Sequence, residues 1–166
     1  MKTSFPIKDS KEFVSKLEKC SKALGVFNKN YRGDFYFLIN NCLYARIPKN
    51  ASTSIMDAFN LYSKSKNINE IDFSSGLIKN AFVITRNPFD RIVSCFYNRI
   101  KEAGKMGPPW DFLLGCNSFE EFVYAISEIP DKYSEYHFRS QDAFIKEVPH
   151  NINLHYIDIY DLENNW

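Results

Sequence analysis

Apolar positions recur along the chain at two periods, one near 3.6 residues and one near two. Phe13, Val14, Leu17, Cys20 and Leu24 keep the helical period, with Ser10 as the expected cap and Gly25 as the expected stop. The runs FYFLI (35–39) and CLYARI (42–47) read as short strands joined at Asn40-Asn41. Asparagine tolerates positive φ, so an antiparallel edge hairpin is expected there. IPKNASTSIMDAFNLYS (47–63) reads strand, loop, helix, with Ile55, Ala58, Phe59 and Tyr62 on one face. A polar excursion follows over 63–76. AFVIT (81–85) is a continuous apolar run that suits a strand buried on both faces. Asn87 is placed to cap the next helix and Pro88 to open it, before a stripe of Phe89, Ile92, Val93, Phe96, Tyr97 and Ile100. EAGKMGPPW (102–110) predicts a loop. Ser118 heads a helix through Ile126, a further helix covers Arg139 to Lys146, and NINLHYIDIY (151–160) alternates like a late strand. Strands alternating with helices imply an α/β fold with a mainly parallel sheet and helices on both faces.

A length of 166 residues fits one domain, with residues 1–30 as an N-terminal helix and lead-in and 34–100 as the core. Lysine and arginine exceed aspartate and glutamate by a single charge, which argues against a protein that coats nucleic acid. The four cysteines form no C-x-x-C pair and the three histidines have no second ligand set nearby, so no metal site is expected. MKTSFPIKDS has no apolar signal-peptide core. The longest apolar run is about five residues, against roughly 20 for a bilayer span. A cytoplasmic protein with reduced thiols and no membrane partner is the expectation.

Chemistry concentrates at two strand-to-helix turns, where ligands of parallel sheets bind. In PKNASTS (48–54), Lys49 supplies a charge, Ser52, Thr53 and Ser54 supply hydroxyls, and the small Ala51 permits close approach to the amides of Asn50 and its neighbours. The turn lacks the glycines of G-x-x-x-x-G-K-[ST] and is not a Walker loop. Its plain alternative is a capped helix with a solvated lysine. In TRNPFDRIVSCFYNR (85–99), Arg86 ends a strand with a planar fork suited to phosphate, and Ser94 lies two turns into the helix. The alternative there is an Arg86–Asp90 pair.

Together the two turns resemble the nucleotide motifs of the carbohydrate-type sulfotransferase superfamily, which uses 3′-phosphoadenosine 5′-phosphosulfate (PAPS). PKNASTS is similar to its PKTGSTS or PKTAGTS turn at Pro48, Lys49, Ser52 or Thr53, and Ser54. RNPFDRIVS is similar to RDPxxRxxS at Arg86, Pro88, Arg91 and Ser94, with Asn87 replacing the acid. HFRSQ (137–141) is a weaker echo of an HWxPQ-like segment, and IYDLENNW (159–166) a loose one of an element after the late strand.

The resemblance implies a three-layer, P-loop-like sulfotransferase fold. It implies sulfuryl transfer from PAPS to an acceptor hydroxyl, on a carbohydrate or another compound, with PAP as product and no metal. Lys49 then stabilises charge on the leaving oxygen. Amides from Asn50 to Thr53, through Ala51 and Ser52, with the Thr53 and Ser54 hydroxyls, hold the 5′-phosphate. Arg86 and Ser94 read the 3′-phosphate. His137 is the candidate general base, with Glu70 and Asp72 as alternatives. Because no histidine lies between Met56 and Thr85, a non-catalytic PAP/PAPS-binding or partner-binding domain of the same fold is the alternative function. A nucleotide or polynucleotide-phosphate enzyme is the third reading, against which the missing glycines and the lack of a plain Mg²⁺-binding acid motif argue.

Overall fold

A computed structural model of the chain describes residues 7–24, 35–62, 64, 66, 68–106 and 110–165. They gather into two compact units, one drawn from Met1–Tyr31 and Phe89–Arg139, the other from Arg32–Pro88 and Ser140–Trp166.

The second unit holds the sheet. Strands β1 (Tyr36–Ile39) and β2 (Cys42–Ala45) form an antiparallel hairpin. Asn40 and Asn41 turn it with φ of 49° and 61°, the two left-handed residues that a type I′ turn requires. Strand β3 (Asn80–Thr85) pairs parallel to β2, and β4 (Asn153–Asp158) pairs parallel to β3. The order is β1-β2-β3-β4, so the sheet is mostly parallel with one antiparallel edge.

Alternation sorts the strand residues into two cores. Tyr36, Leu43, Ala45, Ala81 and Val83 pack with Phe144, Val148 and Ile152 from helix α5 (Gln141–Ile145) and the chain after it. Ile68 and Ile71 of the polar excursion, and Ile78 just after it, join this core. Phe37, Tyr44 and Ile84 pack instead with Ile55 and Met56 of helix α2 (Ser52–Ala58) and Ile159 of helix α6 (Ile159–Asn165). Tyr44 stacks on Phe82 at 4.9 Å on this side.

Helix α2 is shorter than its pattern suggests. Asn60 takes φ 50°, its N–H donates to the Asp57 carbonyl and the Leu61 N–H to the Met56 carbonyl. That pair of bonds is a Schellman stop with asparagine in the glycine position. The buried residues of α2 are therefore Ser52, Ile55 and Met56, while Ala58, Phe59 and Tyr62 are exposed.

The first unit is helical. Helix α1 (Ile7–Leu24) starts three residues before Ser10, which is a buried residue inside it and not its cap. The expected stop at Gly25 lies outside the described residues. Helix α3 (Pro88–Phe96) opens at Pro88 and widens into a π-helix over Tyr97–Glu102. Its buried residues are Arg91, Cys95 and Phe96, whereas Phe89 of the expected stripe is 79% exposed and Tyr97 57%. Helix α4 (Phe119–Ser127) is capped by Ser118, whose Oγ accepts from the Glu121 N–H at 3.2 Å. Phe13, Cys95, Phe96, Trp110, Phe122 and Phe138 are among the residues of its core. No helix among the described residues is long and apolar enough to cross a membrane.

Candidate functional site

Parallel pairing sets Ala45 beside Val83, so the carboxyl ends of β2 and β3 lie next to each other. The chain leaving β2 is the PKNASTS turn. Pro48 is buried and Asn50 is fully so. Lys49 and Ala51 both take left-handed backbone, with φ of 71° and 51°. Neither is glycine, and each left-handed non-glycine residue costs roughly 1–3 kcal/mol. Left-handed residues within a turn also swing successive N–H groups toward one side, the geometry of an anion-binding nest. Thr53 and Ser54 are exposed at the start of α2, Ser52 is buried, and Lys49 is half-buried.

The chain leaving β3 is held against this turn. Arg86 Nη1 donates to the Lys49 carbonyl at 3.0 Å. Asn50 Nδ2 donates to the Ile84 carbonyl at 2.7 Å and to Gln141 Oε1 at 2.6 Å. Gln141 in turn pairs with the Arg86 main chain, accepting from its N–H at 3.2 Å and donating to its carbonyl at 2.8 Å. Asn50 therefore faces inward, and its own N–H donates to the Ile47 carbonyl at 3.3 Å, so neither its side chain nor its amide is left for a ligand. Arg86 Nε is buried with no protein partner. A guanidinium with an unused donor, beside a turn rich in amides and hydroxyls, is a donor set that fits an anionic ligand. Gln141 closes the HFRSQ segment noted for its resemblance, but sequence reasoning gave it no role, since an uncharged side chain off any apolar period does not show its partners.

Arg91, matched with Arg86 by motif, has a different part. It is 2% exposed, and donates to the Arg139 carbonyl at 2.7 Å and the Tyr136 carbonyl at 3.2 Å. It braces the segment that carries His137. Ser94 is half-buried on α3. His137 Nδ1 sits 2.8 Å and 3.0 Å from the two Glu135 carboxylate oxygens, and its N–H donates to Oε2 at 2.7 Å. Both side chains are largely buried, 13% and 5% exposed. A carboxylate at Nδ1 holds the proton on that nitrogen and leaves basicity at Nε2, the arrangement of a carboxylate-oriented base.

The two alternative bases are both exposed. Glu70 is exposed on a 3-10 turn over Ile68–Glu70. Asp72 is exposed and folded into its own loop, accepting from the Ser74 hydroxyl at 2.6 Å and the Ser74 N–H at 2.9 Å. Those bonds, the hydroxyl's first, hold its carboxyl below the usual carboxylate range and make it a weak base. Among the described residues, no group of three or more His, Cys, Asp or Glu is placed to hold a metal ion.

Residues 39–161 match the profile of the sulfotransferase family. No curated protein and no solved structure matches the chain. The matched span covers most of the chain and includes both turns, the Glu135–His137 pair and all of β3 and β4. The chain belongs to the sulfotransferase family.

Proposed function

We propose that the protein moves a sulfuryl group from PAPS to a hydroxyl of an acceptor, a carbohydrate first among the candidates. The observation that carries this reading is the Arg86–Lys49 hydrogen bond, which brings the two cationic turns to one end of the sheet. A ligand with two anionic groups set apart, as on a 3′,5′-substituted adenosine, suits such a pair. The two cores on opposite faces of the sheet support a three-layer, P-loop-like arrangement.

PAPS, when bound, supplies the activated sulfuryl group. The chain's own work is positioning and charge stabilisation, as in phosphoryl transfer. The amides of Ala51, Ser52 and Thr53 and the exposed Thr53 and Ser54 hydroxyls hold the 5′-phosphate, the Asn50 N–H being taken by the Ile47 carbonyl. The Lys49 ammonium stabilises negative charge on the leaving oxygen. Arg86 takes the 3′-phosphate, and Ser94 is assigned to the same group on its motif. His137, oriented by Glu135, takes the proton of the acceptor hydroxyl.

The test is incubation with sulfur-labelled PAPS and a panel of sugars, oligosaccharides and phenols. Labelled product that disappears in a Lys49 variant is the expected result. PAP binding without label in any acceptor favours the non-catalytic domain. Stabilisation by ATP with Mg²⁺ but not by PAP overturns the donor assignment.

A further inference from the structure

We propose that Gln141 is a positioning residue that fixes the spacing between the two phosphate-holding turns, an inference that rests on the donor reading above. One amide makes three short bonds at once. Oε1 accepts from Asn50 Nδ2 at 2.6 Å and from the Arg86 N–H at 3.2 Å, while Nε2 donates to the Arg86 carbonyl at 2.8 Å. The two bonds to Arg86 continue the strand ladder one residue beyond β3, with a side chain in place of a strand. The Arg86 main chain admits only one orientation of the amide, since its N–H must meet oxygen and its carbonyl must meet nitrogen.

The bond to Asn50 reaches the other turn. Asn50 lies between Lys49 and Ala51, the two left-handed residues, and its side chain also holds the Ile84 carbonyl. Gln141 thus grips the residue that carries the guanidinium and the residue at the centre of the lysine turn. Its own place is rigid. Ser140 caps α5 through Oγ to the Ala143 N–H at 3.3 Å, and Phe144 is buried edge-on against Phe35 at 5.3 Å. The Phe144 carbonyl accepts from the Tyr36 hydroxyl at 2.8 Å, which ties α5 to β1.

The residue type is specific to this task. A glutamate accepts but cannot donate to the Arg86 carbonyl, and it adds a negative charge beside an anion site. Lysine and arginine donate but cannot accept. Asparagine has the right groups on a side chain one methylene short. A neutral amide therefore sets the spacing without weakening the attraction for phosphate.

A spacing device acts on ligands that use both turns. PAP, adenosine 3′,5′-bisphosphate, uses both, whereas AMP uses one. Dissociation constants for PAP and AMP are measured by calorimetry on wild type, Gln141→Met, Gln141→Asn, Arg86→Ala and the Arg86→Ala/Gln141→Met double variant. Wild type prefers PAP. Gln141→Met lowers that preference about tenfold, Gln141→Asn lowers it less, and Gln141→Met has no further effect once Arg86 is removed. A loss of general stability shifts both nucleotides alike and leaves the ratio unchanged. A folded Gln141→Met with the wild-type ratio overturns the proposal, and should that variant not fold, an unchanged ratio in Gln141→Asn does so. Wild type with no preference for PAP overturns the donor reading itself and this proposal with it.

Discussion

The Lys49 carbonyl accepts a hydrogen bond from Arg86 Nη1 at 3.0 Å, across 37 positions of sequence. That bond makes two separate turns into one surface. It also holds Lys49 at φ 71°, where a residue with a Cβ is strained. The strain is offset by the guanidinium on its carbonyl and by Asn50, buried next to it.

Lys49→Gly separates backbone from charge. Glycine adopts the left-handed conformation freely, so the turn keeps its path and the folding stability stays within about 1 kcal/mol of wild type. Sulfuryl transfer falls by about 10²–10³ through loss of the ammonium. A transfer assay beside a denaturation curve checks both, and a stable variant with full activity removes Lys49 from the chemistry.

The two motif arginines differ in what their loss does. Arg91→Ala removes a buried guanidinium and leaves two part-buried carbonyls, of Arg139 and Tyr136, without their donor, which costs about 3 kcal/mol of stability. Arg86→Ala frees a single part-buried carbonyl, that of Lys49, and costs about 1 kcal/mol. The urea midpoints of the two variants check the order, while PAP affinity falls in Arg86→Ala.

Glu135→Gln keeps a hydrogen-bonding group beside His137 but removes the charge that orients the imidazole. Transfer drops about 10²-fold with PAP affinity unchanged. Parallel loss of both, read by rate and by calorimetry, contradicts a role confined to the acceptor proton.

Burial, reinforced by Glu121 and partly offset by Lys101, pushes the Cys116 thiol up to about 11. Its thiolate fraction at pH 8 is about one in a thousand, and rises about tenfold at pH 9. Alkylation of native protein therefore reaches half-buried Cys42 before Cys116. Mass spectrometry of labelled peptides gives the order, and rapid labelling of Cys116 at pH 8 contradicts it.

The hairpin and the Ser118 cap were legible because each rests on neighbouring residues, Asn40 with Asn41 and Ser118 with Glu121. The buried face of α3 was not, because a charged Arg91 turns inward to meet main-chain carbonyls. The π-helix over Tyr97–Glu102 further shifts which positions share a face. The end of α2 was missed since asparagine, not glycine, takes the stop position. At the candidate site, the lysine and arginine turns announced themselves by charge and motif. Gln141 ended only a weak motif echo, and its role did not show, because it is neutral and 55 positions from Arg86. The inward turn of Asn50 was hidden for the same reason: its partners, Ile84 and Gln141, are distant in sequence.

The most direct measurement is the thermal midpoint of the full chain with PAP, AMP and ATP at equal concentrations. A ligand at 100-fold over its dissociation constant adds about 2.7 kcal/mol. The expected result is a clear rise with PAP, a small one with AMP or ATP, and equal small rises for all three in Arg86→Ala. Equal responses of wild type to PAP and AMP contradict joint capture by Lys49 and Arg86.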